Sequence, residues 1–158
     1  MFDENLVFEV IKILGDTGAD ISRTVISHVD CWGFSPTTIR RILDAGCYAE
    51  YDSFGYTVLS PLFEGRVLDV PSDTQRINNI IQLIGEGYLN QILVSHDISQ
   101  KNFLTTYGGW GYAHVLRDVV PVMRVKGITG EQIHTLLVEN PKRLLTFAPV
   151  EDQYKLGM

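Results

Sequence analysis

Three short apolar runs, each closing on histidine or aspartate, constrain this chain more than any other feature. TVISHVD (24–30), CYAEYD (47–52) and QILVSH (91–96), the last followed by Asp97, have the length and β-branched or aromatic content of strands. Helical patterns lie between them. Asp3 can cap a helix carrying Leu6, Val7, Val10, Ile11 and Leu14, which closes at Gly15 to Gly18. Ser35-Pro36 starts a second helix that Gly46 stops. Ser72 and Gln75 form a capping box ahead of Ile77, Ile80, Ile81 and Ile84, the clearest helical stripe in the chain. A glycine-rich loop, TTYGGWGYAH, leads to a helix reaching about Lys126, and Thr129 with Gln132 starts a last one that is expected to end near Asn140-Pro141. Strands alternating with helices in this way are βα units, so the fold class is α/β with a parallel sheet buried on both faces.

Two architectures meet that description. A doubly wound nucleotide fold would carry a glycine-rich phosphate turn after its first strand, and neither G-x-G-x-x-G nor G-x-x-x-x-G-K-[ST] occurs. A (β/α)8 barrel gathers its chemistry at the C-terminal ends of several strands. Here His28 and Asp30, Asp52, and His96 and Asp97 would converge on one rim. A single such residue is more often a loop or cap residue, but three successive strands ending alike point to a shared site. His114 and His134 fall within helical patterns and read as surface or packing residues.

Composition narrows the partners. A net charge of −6 without a Lys/Arg cluster argues against nucleic acid and against an anionic membrane surface, leaving a small-molecule substrate. Cys31 and Cys47 are the only cysteines and do not have metal-knuckle spacing, and the acidic opening MFDENLVFEV lacks a signal peptide's basic region; a reducing, cytoplasmic location is expected.

TVISHVD, AGCYAEYDSFG, QILVSHDIS, GGWGYAHVLRDVVPVMRVKGIT and LLVENPKRLLTF, in this order, resemble the C-terminal part of the phosphotriesterase family of metal-dependent hydrolases, nearest its phosphotriesterase-related branch in the amidohydrolase superfamily. The resemblance implies a partial (β/α)8 TIM barrel, its strands being the sixth to eighth, and two divalent metal ions, usually zinc, in the complete barrel. Asp97 would be the catalytic aspartate ending the eighth strand, binding metal and accepting a proton. His28 would ligate the second metal. Imidazole and carboxylate are ordinary zinc ligands, and a zinc-bound water has its pKa lowered toward ~7. His96 should face away from Asp97 by strand alternation and serve packing or hydrogen bonding. Asp52, Ser53, Tyr107 and Trp110 would line the substrate pocket.

The chain departs from the family pattern at two positions. Ser53 follows Asp52 where organophosphate-degrading members have histidine and lactonases usually have arginine, and Cys31 stands where an acidic group often lies. These differences favour an ester, lactone or amide over a phosphotriester. The first-strand H-x-H pair, the fourth-strand lysine or glutamate and the fifth-strand histidine of the family are not supplied. Residues 1–158 are therefore expected to be the C-terminal portion of a single barrel domain, with a polar tail from about 149. Three strands cannot close an eight-stranded barrel, so either the isolated chain is an inactive fragment, or it pairs its open edges with a complementing N-terminal half or with its own copies as a homo-oligomer.

Overall fold

The computed structural model describes residues 5–31, 34–56, 62, 63, 66, 67 and 70–147. The Asp3 cap and the tail from about 149 lie outside the described residues. Helix α1 spans Leu6–Asp16, with Asn5 at its N-cap position. Strand β1 (Val25–Ile26), helix α2 (Pro36–Asp44) and strand β2 (Tyr48–Tyr51) follow. Ser35 Oγ accepts the Thr38 N–H and Pro36 occupies the first turn, so α2 starts where the cap and the proline require it.

After β2 comes a small antiparallel hairpin, β3 (Leu62–Phe63) and β4 (Arg66–Val67), that no sequence pattern announces. Helix α3 (Asp73–Gly85) opens with the expected capping box: the Ser72 side chain takes the Gln75 N–H while the Gln75 side chain reaches back to Ser72. Strand β5 (Ile92–Val94) completes a three-stranded parallel sheet in the order β1-β2-β5, with Ile26 level with Ala49, and Ala49 with Ile92. The strands are shorter than the apolar runs. β1 stops two residues before His28, and β5 stops before His96 and Asp97.

Alternation gives each face a distinct character. Ile26, Ala49, Tyr51, Ile92 and Val94 join the core formed with Ile39 and Leu43 of α2, Ile77, Ile80 and Leu83 of α3, and residues from the later helices. Val25, Tyr48, Glu50 and Leu93 share the opposite face by register, and Glu50 is half-buried there.

The last two helical segments are joined internally by widened turns. A π turn at Val115–Val119 runs into α4 (Val120–Val125), and α5 (Gly130–His134) continues through a π turn at Thr135–Glu139 into α6 (Asn140–Leu145). The helix therefore does not end at Asn140-Pro141. Pro121 and Pro141 both lie two residues past the end of a π turn; the Val120 N–H bonds back to Val115 O and the Asn140 N–H to Thr135 O. A proline ring in a helix collides with the carbonyl four residues back and leaves it without a donor, and the wider turn relieves that collision. Asn140, fully buried, adds a tertiary reason: its Nδ2 donates to Leu89 O at 2.8 Å and Ile92 O at 2.7 Å, tying this helix to the start of β5.

Asn140→Ala leaves both carbonyls without their buried donor. The expected loss is about 1–3 kcal/mol of folding stability, read as a lower urea midpoint at unchanged m-value.

Candidate active site

His28 and Asp97 are the only described non-glycine residues with positive φ, at 57° and 38°. A left-handed backbone costs a side-chain-bearing residue roughly 1–2 kcal/mol, so each needs something to hold it. Both follow a strand end at the C-terminal edge of the sheet.

His28 is held by Asp52. Its backbone N–H donates to Asp52 Oδ2 at 3.1 Å, and its ring Nδ1 meets Asp52 Oδ1 at 2.8 Å. A proton on Nδ1 shared with Asp52 leaves the ring lone pair on Nε2, the arrangement in which a carboxylate orients an imidazole for a metal. Burial raises the Asp52 carboxyl above its ordinary value, and the bonds from His28 oppose that shift. Asp97 is held by Tyr56, whose hydroxyl donates to Asp97 O at 2.9 Å and Asp97 Oδ2 at 3.1 Å.

Asp30 is turned inward. Its Oδ2 accepts from Arg76 Nε at 2.6 Å and from the Ser53 N–H at 3.2 Å, with both charged side chains fully buried. Arg76 Nη1 donates to Tyr56 O at 3.2 Å and Asp73 Oδ1 at 2.9 Å, and the Gly55 N–H also donates to Asp73 Oδ1. This ion-pair cluster clamps residues 53–56 from beneath.

Glu50, on the centre strand, has its carboxyl raised, chiefly by burial and further by Asp52, Asp30 and Asp97, while His28 lowers it. Groups from all three strand ends therefore act on one carboxyl. Cys31 lies beside them, and burial pushes its thiol up to about 11, so it is neutral at physiological pH.

The structure brings His28, Asp52 and Ser53 together and places Asp97 on the same rim. Ser53 is 3% exposed, with its hydroxyl 3.4 Å from Asp52 Oδ1. Trp110 stacks on Phe103 at 4.5 Å, lies 5.2 Å from the Tyr56 ring and covers Gly55, where a Cβ would meet the indole at 2.6 Å. Tyr107 is 59% exposed, and its ring faces Lys101 Nζ at 5.7 Å rather than the histidine and carboxylates. His96 Nε2 bonds Tyr112 O at 2.8 Å. His114 is not a bland surface or packing residue: its nitrogens each lie 2.8 Å from a carboxylate, Asp73 and Asp118, and the latter is drawn down to about 2, first by Arg117. His134 is exposed beside Glu139.

Sequence reasoning missed Tyr56, Glu50 and Arg76. Arg76 left a signal, since it stands on the stripe of Ile80 and Leu83 where an unpaired cation could not be buried. Tyr56 left none, because its partner is 41 residues away.

Among the described residues, no group of three or more His, Cys, Asp or Glu side chains could hold a metal ion. The carboxylate-oriented imidazole of His28 and the rim carboxylate of Asp97 have donor chemistry that fits a divalent metal.

The phosphotriesterase family model matches residues 2–145, and the chain belongs to that family. It is 46% identical over 145 residues to an N-acetyltaurine hydrolase of Danio rerio, covering 92% of this chain and 41% of the relative. It is 43% identical over 146 residues to a phosphotriesterase-related protein of Nematostella vectensis, covering 92% of this chain and 41% of that one. Among solved structures, a resiniferatoxin-binding protein from Rhodobacter sphaeroides superposes with a TM-score of 0.80 at 33% identity, over 89% of this chain and 38% of that one. The chain thus spans about two-fifths of the length of the curated relatives it matches. The family is generally one of divalent-metal enzymes. No described helix is long and apolar enough to cross a membrane.

Two outcomes follow from the electrostatics. Arg76→Met strands the Asp30 carboxylate and should cost about 3–5 kcal/mol, while the double variant with Asp30→Leu recovers much of that loss in chemical denaturation. Glu50, with its folded value above the ordinary 4.5, contributes stability that is present below that pH and lost as pH rises through the folded value. Glu50→Gln should therefore match the parent near pH 4 and exceed it at about pH 7, when denaturation is followed with chelator present.

Proposed function

We propose that the chain forms strands six to eight of a (β/α)8 barrel and contributes His28 and Asp97 to the metal site of an amide hydrolase acting on N-acetyltaurine or a similar N-acyl amino sulfonate. The observation that carries the reading is the alignment with the Danio rerio hydrolase, which runs through both left-handed rim residues. Ser53, in place of a proton-carrying histidine, supports a carbonyl rather than a phosphotriester substrate.

His28 would hold the metal through Nε2, its ring oriented by Asp52. Asp97 would bind through its carboxylate and accept the proton of the attacking water, returning it to the amine that leaves. A bound divalent ion, zinc by the family's habit, supplies Lewis-acid polarisation of the carbonyl and activation of the water. Ser53, through its N–H on Asp30, secures the turn carrying Asp52. Trp110 closes one wall beside Tyr56, and Tyr107 would reach substrate only from the exposed outer lip.

The outer edges of β1 and β5 have no strand partner among the described residues, and such edges seek pairing. We assign them to a complementing N-terminal half, with self-association as the outcome when that half is absent.

Replacing the matched 145 residues of the Danio rerio relative by this chain tests the reading. The chimera should release taurine from N-acetyltaurine with zinc present. Asp97→Asn should lower kcat/KM by roughly 100-fold or more, and His28→Ala should weaken zinc affinity by roughly 10- to 100-fold. Activity within a few-fold of the parent in Asp97→Asn, or unchanged zinc content in His28→Ala, would remove these residues from the site.

A further inference from the structure

Asp97 departs from the strand that leads to it. β5 ends at Val94, and three residues later the backbone is left-handed without being glycine. Among the described residues, the side chain that hydrogen-bonds to it there is a phenol. Tyr56 Oη lies 2.9 Å from Asp97 O, 3.1 Å from Asp97 Oδ2 and 3.2 Å from Ser99 Oγ. A phenol has one proton and acceptor lone pairs. Its proton serves the two Asp97 oxygens, and its lone pair can take the Ser99 hydroxyl proton.

One donor can reach both the carbonyl and the carboxylate of the same residue only when that residue folds its side chain back beside its own main chain. The contact therefore selects a backbone conformation and a carboxylate orientation together.

Tyr56 is itself immobilised. Its ring packs edge-on to Phe103 at 4.9 Å and tilted to Trp110 at 5.2 Å, and the residue is 8% exposed. Its N–H donates to Ser53 O at 3.1 Å, and its carbonyl accepts from the buried Arg76. The hydroxyl position is thus set by the loop after β2, by α3 and by the loop after β5, not by Asp97. Asp52 holds the other left-handed residue, His28, independently.

We propose that Tyr56 is a positioning residue for Asp97, its hydroxyl fixing the left-handed turn and the carboxylate's aim. The role rests on the reading of Asp97 given above, but the geometry does not.

The test uses the full chain labelled with 13C and 15N, reading the three-bond HN–Hα coupling and the Cα and Cβ shifts of Asp97 and His28. Tyr56→Phe keeps the ring packing and removes only the hydroxyl. Asp97 should then lose its left-handed signature while His28 keeps its own. Ser99→Ala, the second variant, should leave both unchanged. In the chimera, Tyr56→Phe should lower kcat by roughly 10-fold with KM unchanged, as for removal of a group that orients a ligand. Retention of the Asp97 signature in Tyr56→Phe, its loss together with that of His28, its loss in Ser99→Ala, or an unaltered kcat in an active chimera would each overturn the proposal. The spectroscopic readout needs neither metal nor turnover. An Asp97→Asn chimera of undiminished activity would defeat the functional reading while leaving the clamp to be judged by the coupling constants.

Discussion

The buried pairing of Arg76 with Asp30 is the interaction on which the rim depends. A guanidinium with no exposed surface needs buried acceptors, and Arg76 donates from Nε to Asp30 and from Nη1 to Tyr56 O and Asp73, while its Nη2 has no partner among the described residues. Each acceptor belongs to a different part of the rim. Asp30 follows β1 and also receives Ser53 from the turn after β2, Tyr56 O closes that turn, and Asp73 begins α3. One side chain from a helix therefore sets the relative height of two strand ends. Such a pair adds little net stability over apolar packing, but breaking it is costly, which makes it a device for register more than for strength.

The two left-handed residues are where that register becomes useful. A strand running straight on would alternate its side chains above and below the sheet. The turns at His28 and Asp97 instead redirect an imidazole and a carboxylate at the point where the sheet gives out. Neither turn is relaxed by glycine, so both are maintained by polar clamps, Asp52 on His28 and Tyr56 on Asp97. Backbone strain held by surrounding structure is a common mark of a site whose geometry matters more than its local stability. The carboxyls of Glu50 and Asp52 at this edge are raised first by burial, with neighbouring carboxylates adding to it and His28 opposing it.

The helices show how tertiary contacts override local signals. Asn140-Pro141 reads as a stop because the residue before proline avoids helical angles. The helix nonetheless runs on to Leu145, since a widened turn makes room for the ring and Asn140 is bound to the backbone around β5. His114 was equally illegible: its spacing along the helix says nothing of Asp73, which α3 delivers from 41 residues away.

By itself the sequence determined the order of the three parallel strands and the helices between them, the parallel pairing that βα alternation requires, the caps at Ser35, Ser72 and Thr129, and the family, but not the β3–β4 hairpin. Each depends on periodicity or on contacts within about four residues, and such information is local. It also placed His28, Asp52 and Asp97 just past strand ends, because each apolar run closes on polar residues. Tertiary structure alone decided that Asp52 orients His28, that Tyr56 grips Asp97, that Arg76 is swallowed whole and that Tyr107 faces outward. Those outcomes depend on which residues meet across the sheet and its loops, and hydrogen-bond partners dozens of residues apart leave no period in the chain.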